Sequence, residues 1–262
     1  MTHNTCVAVV SGATGGIGRA ISATLAAAGA TVVMLGRDLH RLETARLEII
    51  GQGELVGTLD THVADINDAA SVNAAIASIL AMHGRIDALV HTAGDSPVRS
   101  ILETTDNEWQ ASINSKLLGA VRLIRAAGHS MTERGAGSIV LVGGMLRVEP
   151  SPLFPIASVL NAAVGALAKA VSKEFGAHGV RVNVVDPGAT DTGRWGRYCE
   201  EIAAAVGGRA GDVNRHTIDS IPLKRLANPQ DVADMVAFLT SDKATYLNGG
   251  AFVVDGGAAG CL

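Results

Sequence analysis

Aromatic side chains are scarce in this 262-residue chain: two Trp, two Tyr and four Phe. The core must therefore be aliphatic, and any chemistry that needs a tyrosine has only Tyr198 and Tyr246 to draw on. Basic runs are missing and the formal net charge is −4, which argues against nucleic acid as a partner. The three cysteines, Cys6, Cys199 and Cys261, show no metal-ligand spacing; they read as reduced thiols, and no metal site is expected. Residues 1–5 carry neither a basic segment nor an apolar one, so no signal peptide is expected. No apolar run is expected to be long enough to cross a bilayer. These absences point to a soluble cytoplasmic protein with no membrane partner.

What the chain has is aliphatic residues and 31 Gly. Apolar strand candidates lie at 7–10, 31–35, 59–63, 88–91, 138–142, 181–185 and 252–254. Helical patterns fall near 17–28, 39–50, 69–82, 107–133, 156–178 and 229–240. This alternation predicts a single α/β domain over 1–262: three layers, doubly wound, with a seven-stranded parallel sheet and right-handed crossovers. Residues 188–228 break the rhythm. They read either as a lid over cofactor and substrate, with Trp195 and Tyr198 as its large side chains, or as a surface helical insertion.

The first strand runs into Ser11-Gly12-Ala13-Thr14-Gly15-Gly16-Ile17-Gly18 and then into an Ala-rich helix. A glycine loop between strand and helix sets a pyrophosphate against a helix N-terminus. Gly12 permits the tight turn, Gly16 the approach of phosphate and Gly18 the helix–strand packing, with Thr14 and Ile17 in the same loop. The second strand ends at Gly36-Arg37, where an acidic residue would hold a ribose 2′-hydroxyl. A guanidinium there suits a 2′-phosphate, so NADP(H) is expected over NAD(H). Alternatively, Arg37 only opens a solvated helix or pairs with Asp38.

The chain resembles a short-chain dehydrogenase/reductase, a family built on the Rossmann fold, over essentially its full length. The resemblance rests on the glycine loop, Ala64-Asp65, Thr92-Ala93-Gly94, the run from Arg181 to Gly188, Asp191-Thr192, and the tail from Leu247 to Gly257. It implies that Asp65 contacts adenine, that Ala93 and Gly94 border the cofactor, and that Pro187, Gly188, Thr190 and Thr192 face the nicotinamide. It further implies a small-molecule substrate and a homotetramer or homodimer, with the helices at 107–133 and 156–178 as contact surfaces.

The family's catalytic residues do not carry over. Counting back thirty residues from Pro187, the family's spacing for its tyrosine acid, gives Ala157. The lysine position falls on Asn161, the serine position on Gly144 and the asparagine position on Lys116. No tyrosine lies between Trp109 and Arg197, so no shift of alignment restores the acid. General acid–base catalysis is worth roughly 10²–10⁴ in rate, so ordinary ketone reduction by the family mechanism is not expected. Candidate substitutes are Lys116, Ser151 and Asp95, and each has a plain structural reading: a helix-surface lysine, a loop serine, a turn cap. Asn161 can still reach the ribose. Arg147 and Glu149 are close enough in sequence to pair with each other. The expected enzyme is an atypical NADPH-dependent oxidoreductase, with a place in secondary metabolism, that delivers hydride to a pre-activated C=N or C=C bond or to a carbonyl. The alternatives are a non-redox cyclase, isomerase or dehydratase on the same fold, and a non-catalytic NADP(H)-binding subunit.

Overall fold

The computed structural model describes residues 6–53 and 55–260. Its strands are β1 (Val7–Ser11), β2 (Thr31–Gly36), β3 (Thr58–Val63), β4 (Ala88–His91), β5 (Gly137–Val142), β6 (Val180–Pro187) and β7 (Ala251–Val254). Its helices are α1 (Gly16–Ala27), α2 (Leu39–Ile50), α3 (Ala69–His83), α4 (Asp106–Ser112), α5 (Gly119–Arg134), α6 (Pro155–Gly176), α7 (Gly193–Val206), α8 (Ala210–Ser220) and α9 (Pro229–Thr240). All seven strands are parallel, in the order β3-β2-β1-β4-β5-β6-β7. The winding direction reverses between β1 and β4, and ligands of such sheets bind at the carboxyl ends of the strands beside that reversal.

Helices on both faces explain why the central strands read as unbroken apolar runs rather than alternations. One layer packs Ile21 and Leu25 of α1, Leu42 and Ile49 of α2, and Val232, Val236 and Leu239 of α9 against Ala8, Val10 and Val140. The other packs Val72, Ile76 and Ile79 of α3, Leu123 and Met131 of α5, and Val164 of α6 against Val9, Leu89, Ile139 and Val182. Burying each such side chain contributes about 1.5–3 kcal/mol.

Two expectations need correction, on the helix at 107–133 and on membrane-spanning length, and the 188–228 excursion takes a definite form. The helix expected at 107–133 is not continuous: α4 and α5 are separated by a wider π-type turn over residues 113–118, which holds Lys116. Arg122 secures that turn by donating to the backbone carbonyls of Ile66 and Asn114 and to Asn114 Oδ1. The 188–228 excursion is mostly helical, forming α7 and α8, which are joined by a hydrogen bond from Trp195 Nε1 to Asn214 Oδ1 (2.8 Å). Finally, α6 is long and apolar enough by length and composition to cross a membrane. It lies against β6 as a core helix instead, burying Ile156, Leu160, Val164 and Ala168. Residues 1–5 and Cys261 lie outside the described residues, while Cys6 and Cys199 are free thiols.

Candidate active site

The glycine loop is shaped by close backbone approach. Gly12 has φ +74°, and a β-carbon there would stand 2.6 Å from Thr92 Oγ1 and 2.9 Å from Ala93 N. A β-carbon on Gly18 would stand 2.3 Å from the carbonyl oxygen of Gly12. Thr92 Oγ1 donates to the carbonyl of Ser11 (2.8 Å), which ties the β1 loop to the Thr92-Ala93-Gly94 turn. On the open side, a β-carbon on Gly16 would meet the Thr192 methyl at 2.6 Å, so the segment after β6 folds directly over the loop. The α1 N-terminus has no side-chain cap and no acidic residue in its first turn. Its amides are therefore free for a phosphate, and the cradle fits a dinucleotide.

The flanking positions agree with that cradle. Arg37 is exposed at the carboxyl end of β2, and no ion pair engages it among the described residues. Asp38 accepts from Arg41 N as the α2 cap rather than pairing with Arg37. Asp65 is held through Oδ1 by the backbone and side-chain nitrogens of Asn67. Thr190 donates to the Gly188 carbonyl, and Thr192 Oγ1 caps α7. Gly188 leaves room for Asp255, whose Cβ would lie 2.8 Å from a β-carbon there.

At the carboxyl end of β5, the positions expected for serine and lysine are brought together. A β-carbon on Gly144 would stand 2.7 Å from Asn161 Nδ2, and Asn161 is buried with its Oδ1 unpartnered among the described residues. A β-carbon on Gly143 would stand 2.2 Å from Asp186 Oδ1. The Gly143-Gly144 pair thus makes room for one amide and one carboxylate. Asp186, fully buried at the end of β6, accepts from Gly144 N (2.9 Å) and from Arg147 Nε (2.5 Å). Arg147 therefore pairs with Asp186 and not with Glu149, whose carboxylate accepts from Gly260 N. The Arg147 stem fits beside Gly165 of α6, where a β-carbon would meet its Cδ at 2.8 Å. The sequence reading missed this pair; its signals were a charged residue ending an apolar strand and two adjacent glycines facing it.

Lys116 is not a surface lysine. Its stem packs on Gly94 (φ +127°), where a β-carbon would stand 2.8 Å from Lys116 Cβ, and its Nζ donates to the Gly143 carbonyl (3.1 Å). The side chain therefore bridges the carboxyl ends of β4 and β5. Desolvation first, then the nearby Arg194 guanidinium, lower its pKa to about 8, against the opposing pull of Asp186 and Asp95. His91 fixes the backbone here. Its Nε2 donates to the Lys116 carbonyl (3.1 Å), which leaves Nδ1 to accept from Ser11 Oγ (2.7 Å). Burial pushes the His91 imidazole down to about 4, so it is neutral at physiological pH.

The remaining candidates do structural work. Ser151 Oγ accepts from Leu153 N inside its loop, and Ser158 Oγ accepts from Ser151 N. Asp95 joins α7 to the loop after β4: it accepts from Tyr198 OH (2.9 Å) and Arg197 (3.1 Å), with Arg194 Nε at 3.5 Å. Glu201 adds a bond from Val98 N (3.0 Å), and the Tyr198 ring meets Phe154 edge-on at 5.3 Å. Burial and the Asp95 carboxylate push the Tyr198 phenol above its usual range, so it is a poor proton donor.

Residues 12–259 match the family described as Enoyl-(Acyl carrier protein) reductase. The 2,3-dihydro-2,3-dihydroxybenzoate dehydrogenase of Bacillus subtilis is 31% identical over 257 residues, spanning 96% of this chain and 95% of that one. The L-2,3-butanediol dehydrogenase of Corynebacterium glutamicum is 31% identical over 253 residues, spanning 96% and 97%. Among solved structures, L-sorbose reductase from Gluconobacter frateurii complexed with NADPH and L-sorbose superposes with a TM-score of 0.90 at 31% identity, covering 100% of both chains. NAD+-bound xylitol dehydrogenase superposes with a TM-score of 0.92 at 25% identity, covering 98% of this chain and 100% of that one. The glycine cradle, the strand order and these full-length likenesses agree: the chain belongs to the short-chain dehydrogenase/reductase family, whose oxidoreductases act on small molecules with a nicotinamide dinucleotide.

Proposed function

We propose that this chain is an NADP(H)-dependent reductase of C=C bonds conjugated to a carbonyl, working without the family's tyrosine acid. The observation that carries this reading is the Lys116 amine, held between β4 and β5 beside Gly143-Gly144, where the resemblance places the lost serine. Reduced nicotinamide, when bound, supplies the hydride. The glycine loop, Asp65, Ala93, Gly94, Asn161 and the 187–192 segment would hold the dinucleotide, with Arg37 reserved for a 2′-phosphate.

Hydride addition to a conjugated C=C sends negative charge to the carbonyl oxygen. A desolvated cation aimed there stabilises that charge without transferring a proton in the same step. Lys116 and Arg194 make the site positive, so a substrate that arrives already cationic, such as a free iminium ion, is poorly matched. Of the electrophiles compatible with a missing acid, the conjugated C=C is favoured. The matched family's description, an enoyl reductase, points the same way. Lys116 is the residue acting on substrate; Ser151 and Asp95 serve the loop and the lid.

The α5 and α6 faces are the proposed contacts of a homotetramer or homodimer, which light scattering of the purified chain would read directly. Function is tested by titrating the chain with NADPH and with NADH, then supplying conjugated enals and enones with deuterated NADPH. Deuterium at the β-carbon of the product supports the reading; turnover without transfer turns it toward a non-redox enzyme. Nucleotide binding with no turnover of any such compound leaves a binding subunit.

A further inference from the structure

Lys116 is set as a nucleophile is set, and not only as a fixed charge. A lysine becomes nucleophilic at neutral pH when it is desolvated next to another cation. Lys116 is half-buried, with its stem packed on Gly94 and its Nζ on the Gly143 carbonyl, and the neighbouring cation is Arg194 of α7, itself held by Asp95. No carboxylate is ion-paired with the amine among the described residues; its hydrogen bond is to the Gly143 carbonyl. With a pKa of about 8, about a tenth of the amine is neutral at pH 7, against a few parts in ten thousand for an ordinary lysine. Gly94 and Gly143 fix both ends of the side chain, so little rotamer freedom is lost when the amine reacts.

We infer that Lys116 condenses with the carbonyl of an α,β-unsaturated aldehyde or ketone and holds the substrate as a conjugated protonated imine. This rests on the reductase reading above and supplies its missing activation step. The amine lone pair forms a C–N bond at the carbonyl carbon. The carbonyl oxygen leaves as water, taking one hydrogen from the amine and one proton from solvent, and the nitrogen keeps a single positive charge. That charge draws density from the conjugated β-carbon, so no proton donor is needed when hydride arrives. The hydride leaves a neutral enamine on Lys116; a proton from solvent at its α-carbon restores the protonated imine, and water adding to the imine carbon then breaks the C–N bond and returns the amine. The charge count also fits: a protonated imine replaces an ammonium one for one, and Asp186 and Asp95 favour both against Arg194. Arg147 is already paired to Asp186, and the neutral His91 holds the Lys116 backbone.

The test needs no natural substrate. The full chain, without nucleotide, is incubated with cinnamaldehyde and cyanoborohydride, which converts an imine to a stable secondary amine. Adducts are then mapped onto the five lysines, Lys116, Lys169, Lys173, Lys224 and Lys243. The expected result at pH 7 is labelling of Lys116 at least tenfold faster than any other lysine, rising with pH to a midpoint near 8. Arg194→Gln should move that midpoint upward and slow labelling at pH 7 several-fold. Labelling of Lys116 at or below the rate of the exposed lysines overturns the inference. So does undiminished NADPH-driven reduction of the enal by Lys116→Arg, an outcome that leaves the reductase reading standing. Failure to bind either nicotinamide dinucleotide would instead remove the reductase reading itself.

Discussion

Asn161 Nδ2 stands 2.7 Å from the point that a β-carbon on Gly144 would occupy. The two positions are sterically coupled: a side chain at residue 144 requires the Asn161 amide to shift. Substitutions at the two positions are therefore expected to be coupled. Gly144→Ser alone should cost about 1–3 kcal/mol by overpacking. Asn161→Ala should recover part of that cost when combined with it, which a double-mutant cycle of urea midpoints would show as a coupling above about 0.5 kcal/mol. Additive effects would mean that Asn161 turns aside freely.

The same coupling constrains any attempt to restore ordinary ketone reduction. Ala157→Tyr alone supplies an acid with no lysine beside it. The combination Gly144→Ser, Ala157→Tyr and Asn161→Lys is the smallest change that replaces donor, cation and orienting hydroxyl together. It should raise turnover of a simple ketone with NADPH by roughly tenfold or more, toward the low end of the range for general acid catalysis. No gain would mean that the buried Arg147–Asp186 pair keeps the substrate away from the new tyrosine.

Arg37 is the proposed determinant of the cofactor. Replacing it with Ala should weaken NADPH binding roughly ten- to a hundredfold while leaving NADH within about twofold, because a charge-assisted hydrogen bond is worth about 1.5–3 kcal/mol and only a 2′-phosphate would use it. Paired calorimetric titrations read this difference. Equal losses for both nucleotides would assign Arg37 to the loop's shape instead.

Lys116 leaves a mark on stability that needs no substrate. Its folded pKa of about 8 lies below the usual lysine value of 10.5, so unfolding takes up a proton between those two pH values. Wild-type stability should therefore carry a penalty that is full below pH 8 and relieved as pH rises toward 10.5. At full desolvation the penalty is about 3 kcal/mol, less where solvent reaches the side chain. Lys116→Met removes it, so the variant's advantage over wild type at pH 7 should shrink steadily above pH 8. A constant difference would show that the amine keeps an ordinary pKa.

The strands, most helices and the glycine cradle were legible because each is written locally: apolar runs, a 3.6-residue period, glycines at a strand–helix junction. The chemistry beneath β5 was not, because it depends on residues far apart in sequence meeting at the sheet's carboxyl edge. Arg147 and Asp186 lie 39 residues apart, and only the fold shows that they pair. A helical pattern through 107–133 gave no sign of the π-type turn, since one wider turn preserves the apolar face on either side of it. That turn carries Lys116 toward Gly143 and away from the helix surface.

His91 provides the sharpest stability test, because its surroundings fix both its charge and its tautomer. A carbonyl can only accept, so the bond to Lys116 O places the proton on Nε2 and makes Nδ1 the acceptor for Ser11. Protonating the ring would put a second hydrogen on Nδ1, facing Ser11 Oγ inside the core, next to the Lys116 cation. The folded pKa of about 4 lies below the usual 6.5, so the unfolded chain binds the extra proton as pH falls through that window. Stability from this group is full above pH 6.5 and should decline by about 3 kcal/mol on reaching pH 4. His91→Asn removes that component, and its denaturation midpoint should change less than wild type's between pH 6.5 and pH 4. The same substitution loosens the carbonyl of Lys116, so the pH at which the Lys116 amine becomes reactive should shift as well. A variant with an unchanged acid limb would show that His91 is already protonated in the fold.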